Sequence, residues 1–168
     1  MNFNKSIGRY LLMLTSILFL ASCTSPSKGR NEIDAQEISD KMFNAGGLEE
    51  KQSLCDDFYS RIKDTNNWEA KLRLSSWYYI LSVGYTNDVE DYKAKFFLYF
   101  EKYNPIYQSG AGEAMKQTDP IFFSNMQRCE ELIIRAYEDS PSMTMKWVES
   151  LGEKDPFQSI AQMVLRNN

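Results

Sequence analysis

No histidine occurs anywhere in the 168 residues of this chain. That absence removes the commonest general base, the usual catalytic zinc ligand and every Ser-His-Asp or Cys-His scheme. Basic clusters are missing as well. The 19 Lys and Arg residues are scattered among 23 Asp and Glu, so the chain has neither the basic stripe of a nucleic-acid binder nor a polybasic patch for acidic lipid headgroups. Cysteine is limited to Cys23, Cys55 and Cys129, with no CxxC pair to hold a metal. The glycine-bearing stretch Ser109 to Glu113 lacks both the preceding strand and the lysine of a phosphate-binding loop, and reads as an exposed loop.

What is present begins with a targeting segment. Lys5 and Arg9 precede an apolar run from Tyr10 to Leu20, which ends at the small residues Ala21 and Ser22. The run is shorter than the ~20 residues a membrane-spanning helix needs, and the three parts together match a cleavable secretory signal. The order Leu20, Ala21, Ser22, Cys23 resembles the lipobox of bacterial lipoproteins. The resemblance implies that Cys23 receives a diacylglycerol and an acyl chain, that residues 1–22 are removed, and that two or more acyl chains then hold the protein on a membrane. Thr24 takes the place where an aspartate favours the inner membrane, which points to a periplasm-facing anchor in the outer membrane. Residues 23–31 are rich in Ser, Pro and Gly and form a flexible tether.

Loss of Lys5 and Arg9 makes the formal charge of −4 two units more negative. Residues 32–168 remain for a single domain with a core of its own. Aromatics make up 14% of the chain, and eight methionines add to the apolar surface for a core or for a partner. Periodicity and capping signals place helical segments throughout, and no convincing strand. The expected class is all-α, a compact bundle or layered helical hairpins of six to seven helices.

The first helix is expected near Asn31 to Asn44, ending at Gly46-Gly47 through a left-handed residue. The second runs from about Leu48 to Lys63. Asn66-Asn67 caps the third, in which Trp68, Leu72, Leu74, Trp77, Tyr78, Tyr79 and Leu81 leave so little polar face that the helix reads as central. The fourth starts at Asn87 or Asp88 and runs to about Tyr103. Three later helices open with a capping side chain followed by proline at N1, at Asp119-Pro120, Ser140-Pro141 and Asp155-Pro156. Trp68 and Pro105 invite comparison with a tetratricopeptide repeat, but Lys93 and Phe100 fill its small-residue positions and disfavour a regular array.

In an oxidising compartment Cys55 and Cys129 pair as a disulfide between the second and fifth helices, in preference to two buried free thiols. The acidic pairs Glu49-Glu50, Asp56-Asp57 and Glu130-Glu131 lie on adjacent residues about 100° apart on a helix, with Lys or Arg one or two turns away. They read as solvated faces with ion pairs. The fourth helix is different. Phe96, Phe97, Tyr99, Phe100 and Tyr103 cover more than half of its circumference, so it is either buried nearly all round or partly awaiting a partner.

These readings favour a non-enzymatic, lipid-anchored interaction module that binds another periplasmic or outer-membrane protein, without cofactor or metal beyond the lipid on Cys23. The general look is similar to the pilotins, which escort secretin subunits. It is similar also to periplasmic immunity proteins that neutralise a wall-degrading toxin. The first would use the aromatic surface, the second the 105–118 loop with Glu113 and Gln117. A carboxylate-dependent cell-wall hydrolase is the enzymatic alternative, with Asp56 and Asp57 as its carboxylates.

Overall fold

A computed structural model describes residues 33–101, 117 and 119–168 of the chain. Cys23, the signal segment and the tether lie outside the described residues, as do Tyr103 and Glu113. Among the described residues the fold is all-α, with no strand. Seven helices carry it: α1 Ala35–Asn44, α2 Leu48–Ile62, α3 Trp68–Gly84, α4 Val89–Phe100, α5 Pro120–Asp139, α6 Pro141–Ser150 and α7 Pro156–Arg166.

Helix starts follow the capping chemistry. Asn67 Oδ1 accepts from Ala70 N at 3.1 Å, Asp88 Oδ1 from Asp91 N at 2.9 Å, Asp119 Oδ1 from Phe122 N at 3.2 Å and Asp155 Oδ1 from Phe157 N at 2.9 Å. Each satisfies one of the orphan N–H groups of a first turn. Asp34, which the sequence reading passed over, caps α1 in the same way. Ser140 departs from expectation, because its side chain makes no capping bond. Its backbone closes α5 and opens α6 at once, while Thr144 Oγ1 donates to Ala136 O at 2.8 Å to bind the two helices together.

The end of α1 also differs from the expected left-handed glycine. Ala45 is extended there, and Gly47 is extended as well, with φ −98°. A side chain supplies what a glycine would have given, since the Lys51 ammonium donates to Met42 O and, at 2.9 Å, to Ala45 O. A cation on the last carbonyls complements the negative end of the helix.

Helix α3 is the axis of the molecule. It packs on α1, α2, α5 and α6, and every residue from Ala70 to Tyr79 is buried. Leu72, Leu74, Tyr78 and Leu81 are fully inaccessible and join one core with Phe58 and Ile62 of α2, Met126 and Leu132 of α5 and Phe157 of α7. The serines of α3 do not interrupt this burial. Ser75, Ser76 and Ser82 each donate to the carbonyl three residues back, at 2.7, 2.8 and 2.7 Å. Lys71 reaches out to Asp139 at the end of α5, 2.6 Å away, with both side chains largely buried.

The cysteines do not pair. Cys55 and Cys129 are free and buried, which corrects the expected disulfide. Cys55 on α2 turns toward α1, where its thiol lies 3.8 Å from Met42 Sδ. Cys129 on α5 lies near Tyr79 and Tyr92 instead. Two apolar stripes satisfied both readings, but the thiols face different neighbours. Each acts as a small hydrophobe, and burial pushes both thiols well above the ordinary cysteine value.

Beside α3, α2 and α5 run parallel and are joined by a ladder of polar rungs. Gln52 and Asn125 exchange amide hydrogen bonds at 2.9 Å in both directions. One turn on, Arg128 pairs with Asp56, which also accepts from Tyr78 Oη at 2.9 Å. Next, Tyr59 Oη donates to Glu131 at 2.6 Å, and finally Arg135 donates to Lys63 O and Asp64, each at 3.2 Å. The Arg128 guanidinium lies over the rings of Tyr59 and Tyr78.

Three outcomes follow from this packing. Without reductant, unfolded protein carrying Cys23→Ser is expected to titrate two thiols with a colorimetric disulfide reagent, and native protein almost none; two oxidised sulfurs would contradict the free pair. Asp139→Ala leaves the Lys71 ammonium buried without its carboxylate and is expected to cost about 3–5 kcal/mol in denaturant unfolding. The third concerns alkali. Burial, and then the bond to Glu131, push the Tyr59 phenol up to about 12, and burial pushes Tyr78 higher. A phenol raised above its unfolded value of 10.0 stabilises the fold fully below that pH, and the stabilisation is lost as the pH rises from there through about 12. Phenolate absorbance of these tyrosines should therefore appear only together with loss of helical circular dichroism.

Candidate functional site

The aromatic face of α4 is divided by the fold. Tyr99 and Phe100 are buried, Phe96 is half-buried, and Phe97 is 72% exposed, the most exposed of the large apolar side chains described. A chain of ring contacts connects this face to the core. Tyr79 meets Tyr92 at 6.4 Å between centroids, Tyr92 meets Phe96 at 5.7 Å, and Phe96 meets Phe100 at 4.6 Å. Tyr99 continues it to Phe123 of α5 at 5.7 Å. Phe97 stands at the outer end, edge-on to Phe96.

Charge holds α4 in place. The buried Lys95 ammonium pairs with Asp91 on its own helix at 2.9 Å and with Asp119, the cap of α5. Burial alone pushes that ammonium down, but its hydrogen bonds and charge pairing with Asp119 and Asp91 outweigh it and leave Lys95 above the ordinary lysine value. The base of Phe97 is thus fixed from two sides, by the aromatic contacts and by this clamp. Of the two loop residues singled out, Gln117 is exposed and Glu113 lies outside the described residues. Ile121, in the first turn of α5, is also exposed at 46%.

Asp56 and Asp57 do not converge on a common point. Asp56 is occupied by Arg128, Tyr78 and Gln52, while Asp57 pairs with Arg61 on the outer face of α2. No group of three His, Cys, Asp or Glu side chains that could hold a metal occurs among the described residues. No helix among them is long and apolar enough to cross a membrane.

A second feature was missed in the sequence. Arg73, in the middle of α3, is 8% exposed and has neither a carboxylate within ion-pair distance among the described residues nor a hydrogen-bond acceptor for its Nε and Nη1. Its guanidinium lies over the ring of Trp147 on α6, 5.9 Å from the centroid. One turn further along α3, the buried Nε1 of Trp77 is also unpartnered. Burial holds the Arg73 guanidinium below the ordinary arginine value, offset in part by the charge of Glu69. The available signal was a pair of cations, Lys71 and Arg73, in a helix already read as central, where no solvated face was left for them.

No protein-family model, no curated protein and no solved structure matches this chain. The residues themselves carry the functional reading.

Proposed function

We propose that this chain is a lipid-anchored envelope protein, held on a membrane through acylated Cys23, whose helical domain binds another protein through the outer face of α4. The observation that carries the reading is Phe97, 72% exposed on a helix whose neighbouring aromatics are packed into the core. A large apolar side chain on a rigid base is the form that interface anchors take, because little conformational freedom is lost when it is covered. An accessory role in assembling an envelope complex fits a module that offers such an anchor.

The test is affinity purification of the full chain, tagged at its carboxyl end, from crosslinked membranes of the producing bacterium. Phe97→Glu is expected to reduce recovery of the bound protein by ~10-fold or more, with thermal stability changed by less than ~0.5 kcal/mol because the site is exposed. Cys23→Ser should release the protein from the membrane fraction. Undiminished recovery with Phe97→Glu would remove α4 as the binding face. A wall-degrading toxin as the captured protein would make the role inhibitory rather than assembling.

A further inference from the structure

The buried cations of this fold obey one rule with one exception. Lys71 is matched to Asp139, and Lys95 to Asp91 and Asp119. Arg73 is 8% exposed, has no carboxylate within ion-pair distance among the described residues, and is favoured only by the charge of Glu69 one turn back, while its Nε and Nη1 have no acceptor. Leaving a buried guanidinium without an acceptor costs far more than leaving a surface one, since hydrogen bonds to charged groups are the strong ones. The exception is also concentrated in space. The unpartnered buried side-chain nitrogens of the described residues belong to Arg73 and Trp77, side by side on α3. All of them are donors, so together they lack an acceptor, and the charge on Arg73 asks for an anionic one.

The surroundings define the rest of the ligand. The Arg73 Cζ lies 5.9 Å from the centroid of the Trp147 ring, which therefore lines one side of the site. Phe43 of α1 packs edge-on against Trp77 with centroids 5.4 Å apart and is itself 49% exposed. Met143, one turn before Trp147 on α6, is 45% exposed. This stripe is also where α3 is least covered, for Glu69 and Ile80, on either side of Arg73 along the helix, are only half-buried. Partly exposed apolar side chains on the helices that supply the ring neighbours of Trp77 and Arg73 suit an acidic group carried on an apolar chain rather than a small hydrated ion.

We propose that Arg73 and Trp77, backed by Trp147, form a recognition site for the carboxylate of an acidic side chain flanked by apolar residues, presented by a segment of another protein. Arg73 Nε and Nη1 and Trp77 Nε1 are enclosed in the free protein, so the carboxylate meets them as the half-exposed Phe43 ring on Trp77 gives way; the guanidinium then donates charge-assisted hydrogen bonds and the indole N–H a neutral one. The site is separate from Phe97 and does not depend on α4 being a binding face.

The experiment follows the side-chain nitrogen resonances of Arg73 Nε–H and Trp77 Nε1–H by NMR in the full domain with Cys23→Ser. The probes are two capped tripeptides, Leu-Glu-Phe and Leu-Gln-Phe, and acetate. The glutamate peptide is expected to move both resonances saturably, with ~10-fold or weaker binding by the glutamine peptide. Arg73→Met should abolish the response and raise the melting temperature, as removal of an unmatched buried charge does. Trp77→Phe keeps the ring and the contact with Phe43 while weakening the glutamate peptide several-fold, which supplies a second reading if Arg73→Met folds poorly. Equal responses to both peptides, or to acetate at the same concentration, would overturn the assignment. So would a lower melting temperature for Arg73→Met together with no response of the parent protein, which would make Arg73 structural.

Discussion

Everything in this molecule is arranged around the burial of one helix on all sides. α3 has no continuous solvent face over its central turns, so each of its side chains must be covered by a neighbour, and the positions of α1, α2, α5 and α6 are solutions to that requirement. Fully burying a large apolar side chain is worth about 1.5–3 kcal/mol, and α3 contributes Leu72, Leu74, Tyr78 and Leu81 at complete burial. Helix α5 answers it with Phe122, Met126, Leu132 and Ile133, also at complete burial. The same geometry explains why the serines of α3 bond back along their own helix, because there is no water beside them to do so.

Complete burial also makes the charged residues of α3 informative. Lys71 and Arg73 are separated by one residue, so they leave the helix in different directions. One direction leads to Asp139, a carboxylate provided by the end of α5. The other leads toward the ring of Trp147, with the charge of Glu69 one turn back but no hydrogen-bond acceptor for Nε and Nη1. Packing alone can explain the first arrangement. It does not explain the second, since an apolar residue of similar length would fill the same volume without the desolvation of a cation.

Much of the architecture could be read in the amino acids. Helix starts at Asn67, Asp88, Asp119 and Asp155 were legible because a short polar side chain before a helix has few other roles, and proline at N1 leaves little choice of register. The centrality of α3 was legible because its apolar residues exceed one stripe. Less local properties were not. Cys55 and Cys129 both lie on inward faces, but whether two inward thiols meet depends on how α2 and α5 sit about α3, which spacing along each helix does not contain. The split of the α4 aromatics between core and surface is of the same kind, decided by the clamp of Lys95 on Asp119. Arg73 was hidden by the usual assumption that a cation seeks solvent.

The ladder between α2 and α5 has a consequence for how the chain reaches this state. Its rungs join residues more than 70 positions apart, such as Gln52 with Asn125 and Tyr59 with Glu131. A bundle of successive hairpins closes mostly local contacts, whereas a parallel pair bridging a central helix requires a long loop to close first, which slows folding. As the chain emerges from its amino terminus, α3 is complete while the helix that covers most of it is still to come. Through that interval a strongly apolar helix stands uncovered, so the arrival of α5 sets both the folding time and the window in which the young protein is open to aggregation or to a chaperone.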